Sequence, residues 1–296
     1  MLTVGISGAS GLIGTALTQA LRDRGDRVIA LVRRPAAGPD ERSWDPAKET
    51  FDAGLAGVHT VVNLAGAGVG DKRWNTEHRA AILTSRVRAT RTIVAAIEAS
   101  GEPIALVNGS AVGAYGDRGE EVLTESSPRG VGFLAEVVRA WEDAAAPLVE
   151  AGRPVSFART GLVMTQRGGA LAPLLRATRL GAGGPLGSGK QYWPIISLRD
   201  EVAALMHLID HPEITGPVNL VGVEPPRQRE VAAELGRLVH RPSVLPAPGF
   251  ALRLVVGEFA GEILASQRVV PERLLATGFE HRDASVDEVL AAALAG

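Results

Sequence analysis

The sequence predicts an α/β protein, a doubly wound parallel sheet with a smaller, mainly helical C-terminal substrate lobe. Two observations carry that expectation. Short apolar runs rich in β-branched residues alternate with stretches of helical period through the first half of the chain, the order that builds a parallel sheet wrapped by helices. The first of these runs ends in a glycine turn, Gly8-Ala9-Ser10-Gly11-Leu12-Ile13-Gly14, that opens straight into a helical stretch. The 296 residues are 46% hydrophobic and 22% charged, enough for a sizeable core in one large or two smaller domains.

Taken in order, Leu2 to Ile6 is a buried parallel strand by composition, and a helix over Leu12 to Arg24 stops at Gly25. A second strand spans Arg27 to Val32. Residues 34–57 are punctuated by Pro and Gly and read as a surface excursion with a short strand at Arg42 to Trp44. Thr60 to Leu64 is the next strand, followed by a long helix over Thr76 to Ala99, a strand at Ile104 to Val107, a helix over Phe133 to Glu150 and a strand at Pro154 to Ala158. Right-handed crossovers between such strands place ligands at their carboxyl ends. Beyond Gly161 come a helix at Ala170 to Leu180, a glycine-rich loop over 181–189, helices at Arg199 to Asp210 and Arg227 to Leu238 with a strand candidate at Val218 to Val221, and a tail closing with Val286 to Leu294. The expected division is a nucleotide-binding domain of residues 1–160 plus about 190–215, and a smaller substrate or lid lobe of 161–189 and 216–296. No internal repeat is evident.

Charge and cysteine content narrow the function. Thirty-one Lys and Arg against 33 Asp and Glu give a net charge of −2, so no global field favours nucleic acid or an anionic membrane. The absence of cysteine removes a disulfide framework, a thiolate nucleophile and cysteine metal sites. The six histidines show no metal-ligand spacing, and no metal is expected. The N-terminus lacks a signal-peptide pattern and no stretch reads as a membrane span, which fits a cytoplasmic protein with a small-molecule partner.

The glycine turn has a specific physical reading. Gly8 can take a backbone conformation closed to other residues, Gly11 lets the main chain approach a pyrophosphate, and Gly14 lets the helix pack close. Free amides at the start of the helix, from about Leu12 to Ala16, then face the phosphates, and Ser10, Gly11, Leu12 and Ile13 count among the cofactor-binding positions. With a strand before it and a second strand following the helix, this is a Rossmann-type dinucleotide cradle. The second strand ends Leu31-Val32-Arg33-Arg34 with no carboxylate for ribose hydroxyls. Cationic donors there suit a 2′-phosphate, so NADP(H) is favoured over NAD(H), with Arg33 or Arg34 as the contact.

Together with the Asn63-Leu64-Ala65-Gly66 turn, the Ser110-to-Tyr115 stretch and the Arg159-Thr160-Gly161 strand end, this pattern resembles an extended short-chain dehydrogenase/reductase. Lys72-Arg73-Trp74, Ser85-Arg86, Phe133-Leu134-Ala135-Glu136, Trp141-Glu142 and the tail from Pro242 to Phe279 are similar to an atypical branch labelled NAD(P)-dependent epimerase, with a small C-terminal domain of unknown function. The resemblance implies an oxidoreductase or epimerase working by nicotinamide hydride transfer, and it adds Leu64, Ala65, Gly66 and Arg159 to the cofactor-binding positions. Active members of the larger family use a Tyr and a Lys four residues later, with a Ser or Thr that polarises the substrate oxygen. Phe133 and Val137 stand where that pair belongs.

Other residues must then move the proton. Ser110 and Tyr115 are the candidates, although a tyrosine packed in a turn explains Tyr115 equally. Lys72, Arg73 and Trp74 suit a clamp on an anionic or planar substrate, or a basic loop with one aromatic anchor. Lys190 and Trp193, with Tyr192, form either the opposing wall of a cleft or an anchored lid, and Asp200 starts a helix. Two functions fit these features: an NADP(H)-dependent oxidoreductase or epimerase, and a non-catalytic NADP(H)-binding protein that senses redox state.

Overall fold

A computed structural model describes residues 1–52 and 54–295; Ala53 and Gly296, which fall inside the expected domains, lie outside the described residues. In chain order the elements are β1 (Thr3–Ser7), α1 (Leu12–Asp23), β2 (Arg27–Val32), β3 (Glu41–Asp45), β4 (Thr50–Phe51), β5 (Thr60–Asn63), α2 (Thr76–Ser100), β6 (Ala105–Ala111), β7 (Val122–Leu123), α3 (Phe133–Asp143), α4 (Ala146–Glu150) and β8 (Val155–Thr160). The second half contributes β9 (Leu162–Thr165), β10 (Gly168–Gly169), α5 (Leu171–Arg179), β11 (Ile195–Ser197), α6 (Leu198–Asp210), β12 (Gly216–Leu220), α7 (Gln228–Leu238), α8 (Gly249–Val256), α9 (Ala260–Leu264), β13 (Arg268–Val269), α10 (Glu272–Ala276) and α11 (Val286–Ala295).

Eight strands form one sheet in the order β12-β8-β6-β5-β1-β2-β3-β4, parallel except for the β3–β4 pair. From β1 the chain first builds outward through β2, then returns to lay β5 on the other side, so the topological switch point lies between β1 and β5. The register puts Ser7 opposite Asn63, Asn63 opposite Asn108, and Ala111 opposite Thr160 along the carboxyl edge. Helices α1 and α6 cover one face through Leu17, Leu21, Leu205 and Leu208, and α2 and α4 cover the other through Ile93, Ile97 and Leu148. Each such side chain contributes roughly 1.5–3 kcal/mol of gross burial energy, which fixes the helices on the sheet and the sheet edge between them.

Three features depart from the sequence reading. The helix expected over Phe133 to Glu150 is two, because Pro147 lacks an N–H and fits only the first turn of a helix; the chain breaks at Ala144–Ala145 and restarts as α4. The strand at Gly216–Leu220, expected in the smaller lobe, pairs with β8 and forms the edge of the main sheet, so the boundary expected at 216 falls inside that sheet. Residues just past Gly161 build a second sheet in the order β10-β9-β11, which packs with α5, α7 and α11 around Met164, Leu171, Trp193 and Leu235.

Candidate functional site

The turn after β1 is closed backbone to backbone. Gly8 has φ +71°, and a Cβ on it would lie 2.8 Å from the Leu64 carbonyl oxygen. A Cβ on Gly14 would lie 2.2 Å from the Gly8 oxygen and 2.9 Å from Ala9 Cα, so the first turn of α1 sits directly on the loop that precedes it. The N-cap of α1 is Gly11 in extended conformation, with no side-chain cap and no acidic residue in the first turn. The amides of Leu12, Ile13 and Gly14 therefore have no intrahelical partner and carry the positive end of the helix dipole. Ser10 and Gly11 are exposed, and with Leu12 they open into a groove of about 1000 Å³ between α1 and α6, rimmed by Arg167, Arg199 and Arg282.

A buried hydrogen-bond chain holds the switch point. Ser7 Oγ donates to Asn63 Oδ1 at 2.6 Å, and Asn63 Nδ2 donates to Thr90 Oγ1 at 3.0 Å and to Asn108 Oδ1 at 2.8 Å. The Ala65 amide donates to Ser7 Oγ at 3.2 Å, which ties the Leu64-Ala65-Gly66 turn to the end of β1. The two arginines after β2 separate. Arg34 makes a two-pronged pair with Glu41 at 2.7 and 2.6 Å, and the Arg34 hydrogen bond, with the Ala37 amide, brings the Glu41 carboxyl down to about 2. Arg33 is exposed and makes no side-chain hydrogen bond or ion pair among the described residues.

At the ends of β6 and β8 the structure gives three of the candidate residues partners within the protein. Ser110 Oγ donates to Glu142 Oε1 at 2.6 Å, so in this structure its proton faces a carboxylate of the protein. Tyr115 is fully buried; its hydroxyl donates to Asn219 Oδ1 at 2.7 Å and accepts from Arg159 Nη1 at 3.0 Å. Arg159, counted with the cofactor contacts, is 3% exposed and grips Glu142 at 2.9 and 3.0 Å. Burial raises the Glu142 carboxyl, but the bonds from Arg159, Ser110 and Arg129 outweigh it and hold the group below its usual value. Burial raises the Tyr115 phenol, with Arg159 and Asn219 opposing only in part. Ser110, Tyr115 and Arg159 are thus brought together, as the interior of a network around Glu142 and not as a surface open to a ligand.

The remaining candidates are dispersed. Phe133 packs edge-on to Trp74 at 4.9 Å between ring centroids, with Arg79 over its face at 4.3 Å, and Val137 is buried. Trp74 also meets Phe259 at 5.5 Å and donates to the Val69 carbonyl, so it anchors the loop before α2 to the C-terminal segment. Arg73 donates to the Leu254 carbonyl at 3.3 Å, and Lys72 is exposed. Lys190 lines a 370 Å³ cavity with Asp117, Glu120, Gln191 and Ser266. Trp193 is not a cleft wall; it is 5% exposed in the core of the smaller sheet, its indole donating to the Ile263 carbonyl. Asp200 lies in the first turn of α6, where it accepts from the amides of Arg282 and Asp283.

Sequence reasoning gave no role to the charged groups of Glu142, the half-buried Arg86 and the buried Glu201. Arg86 of α2 lies against the Gly66 turn. Glu201 of α6 is fully buried beneath the end of β8, where it accepts from Thr160 Oγ1 at 2.7 Å while Oε2 has no partner; burial pushes its carboxyl up to about 8 against the Thr160 hydrogen bond. All three had one signal in the sequence, a charged residue on the apolar stripe of a helix, at positions such as Ala135, Val138, Glu142 or Glu201, Leu205, Leu208. No group of three or more metal-ligating side chains converges among the described residues, and no helix there is long and apolar enough to cross a membrane.

Comparison with known proteins bears on the whole chain. Residues 4–221 match the NAD dependent epimerase/dehydratase family, and residues 247–293 match a domain of unknown function, DUF1731. The chain is 40% identical over 289 residues to the epimerase family protein Mb2239 of Mycobacterium bovis, covering 97% of this chain and 96% of that one. It is 36% identical to mouse epimerase family protein SDR39U1, covering 93% and 94%. A crystal structure of human epimerase family protein SDR39U1 with NADPH superimposes with a TM-score of 0.91 at 32% identity over 99% of each chain. A nucleoside-diphosphate sugar epimerase from Corynebacterium glutamicum gives 0.82 at 34% identity, over 99% of this chain and 58% of that one. The chain therefore belongs to the NAD dependent epimerase/dehydratase family, in the branch that carries the DUF1731 domain at its C-terminus.

Proposed function

We propose that this protein binds NADP(H) at the carboxyl edge of its main sheet and is an oxidoreductase or epimerase acting on a small molecule. The observation that carries the reading is the Gly8–Gly14 turn, closed so tightly that a Cβ at Gly14 would strike the Gly8 oxygen, with an uncapped helix start directly behind it. That cradle fits a pyrophosphate: the amides of Leu12, Ile13 and Gly14 would hold it, and the Leu64-Ala65-Gly66 turn would flank it. Arg33, free of any carboxylate, would take the 2′-phosphate, whereas Arg34 is engaged by Glu41. The NADPH in the human SDR39U1 structure supports the same cofactor. When bound, the nicotinamide supplies hydride exchange with a carbon centre. The network around Glu142 fixes the ends of β6 and β8 without offering a proton, because the Ser110 and Tyr115 hydroxyls both donate inward. The small-molecule partner accords with a net charge of −2, which steers neither nucleic acid nor membrane.

That same inward commitment favours a second reading, a redox-sensing NADP(H)-binding protein without turnover. Fluorescence titration with NADPH and NADH tests the cofactor assignment. Arg33→Ala is expected to weaken NADPH by about ten- to a hundredfold, the worth of a charge-assisted phosphate contact, and to leave NADH within about threefold. Equal losses for both would refute the role of Arg33. A metabolite screen for substrate-dependent loss of nicotinamide absorbance separates enzyme from sensor.

A further inference from the structure

We propose that Arg86 is an anion-recognition residue beside the nucleotide turn, its guanidinium binding the carboxylate or phosphate of the substrate. This rests on the preceding reading, that the turn holds NADP(H).

Arg86 follows Ile82 by one turn of α2 and precedes Ala89, Thr90 and Ile93, all buried on the face that packs against the sheet, so its side chain is directed into the protein. The guanidinium carbon lies 3.1 Å from where a Cβ on Gly66 would stand, and 5.0 Å from the centre of the Trp141 ring. Gly66 therefore makes room for the arginine, and a side chain at that position would press on the guanidinium and shift it by a few tenths of an ångström. Nη1 donates to the carbonyls of Ala67 at 2.8 Å and Ile82 at 3.0 Å. The Nε and Nη2 groups donate to nothing among the described residues, and the side chain is half-buried.

The charge balance separates this group from a structural cation. No carboxylate among the described residues comes within salt-bridge distance of Arg86. Asp71 is the acid whose charge acts on it, and the Asp71 carboxylate is folded against Gly68. Burial pulls the guanidinium down to about 10, with Asp71 as its opposing influence. Trp141, which Arg86 covers, is followed in α3 by Glu142, the carboxylate that neutralises Arg159 with two hydrogen bonds. Of two guanidinium groups near adjoining residues of one helix, one is neutralised by the protein and the other is not. A half-buried guanidinium without a carboxylate keeps part of its charge unneutralised, and the Nε/Nη2 edge of an arginine is the fork that matches a carboxylate or phosphate in two-pronged fashion. An anionic ligand completes the pair.

The test uses full-length protein saturated with NADPH and titrated separately with oxalate and inorganic phosphate, with nicotinamide fluorescence as the signal. The wild type is expected to respond to at least one of the two anions. Arg86→Met is expected to weaken that response by at least about tenfold, and Arg86→Lys, which keeps the charge but not the fork, by less. The Met variant is also expected to hold NADPH within about threefold of wild type, which distinguishes a substrate anion from the cofactor's own phosphates, and to melt at or above the wild-type temperature. Absence of any anion response in the NADPH-loaded wild type, or an equal response in Arg86→Met, overturns the proposal. So does a Met variant that melts well below wild type and loses NADPH, since Arg86 would then be a strut for the turn. Failure of the wild type to bind NADPH refutes the cofactor reading instead; calorimetric titration of the same anions into the cofactor-free wild-type and Met proteins then decides the role of Arg86 on the same criterion.

Discussion

Replacing Glu201 by Gln should stabilise this protein, increasingly so as pH rises. The carboxyl is fully buried, with Thr160 Oγ1 donating to one oxygen and no partner for the other. Its value of about 8 in the folded chain compares with an ordinary 4.5. Between those limits the folded state holds a proton that the unfolded chain releases, so each rise in pH favours unfolding; below 4.5 there is no penalty, and above about 8 it is constant. The full interval corresponds to a ceiling of about 5 kcal/mol, and local relaxation around the anion reduces this to roughly 2–5 kcal/mol. Gln keeps the acceptor for Thr160 and stays neutral at every pH. The difference in melting temperature between variant and wild type should therefore be near zero at about pH 4.5 and grow to several degrees by about pH 8, at about 2 °C per kcal/mol for a chain of this size. Thermal unfolding followed by circular dichroism across that range is the assay. Parallel curves for the two proteins would show that Glu201 titrates normally and would refute the argument from burial.

Other substitutions address the turn and the Glu142 network. Gly14→Ala drives a methyl group to 2.2 Å from the Gly8 oxygen, and should cost about 1–3 kcal/mol in chemical denaturation and abolish NADPH binding by lifting α1 off its turn. Tyr115→Phe strands Asn219 Oδ1 and one Arg159 donor, so it should lower stability by about 1–3 kcal/mol while leaving NADPH affinity unchanged; a selective loss of turnover at wild-type stability would restore Tyr115 as a catalyst. Glu142→Leu leaves Arg159 buried and unpaired at a cost of about 3–5 kcal/mol, and the double variant with Arg159→Met should recover most of it in the same urea titration. Additive losses in the double variant would contradict direct coupling.

How much of this was legible in the sequence follows from the range of the forces involved. The glycine turn, the strand and helix order and the parallel sheet come from backbone conformation and hydrophobic period, which act over a few residues. Gly8, Gly14 and the elements around them therefore read directly, and the Phe133–Glu150 stretch divides in two because Pro147 suits only the first turn of a new helix. The place of β12 in the main sheet does not read from the sequence, because its pairing with β8 joins segments some 60 residues apart and no local pattern records it.

The sequence by itself determined that this chain builds a nucleotide-type cradle, because a turn closed within van der Waals distance permits only glycine at Gly8 and Gly14. Only the tertiary structure decided what the polar side chains do there. Ser110 donates its hydrogen bond to a carboxylate 32 residues away, Tyr115 bonds an amide 104 residues away, and Arg34 is withdrawn by Glu41 on the neighbouring strand while Arg33 and Arg86 keep donors free. A side chain's availability depends on who satisfies its hydrogen bonds and its charge, and those partners are chosen by the fold, from residues brought near in space.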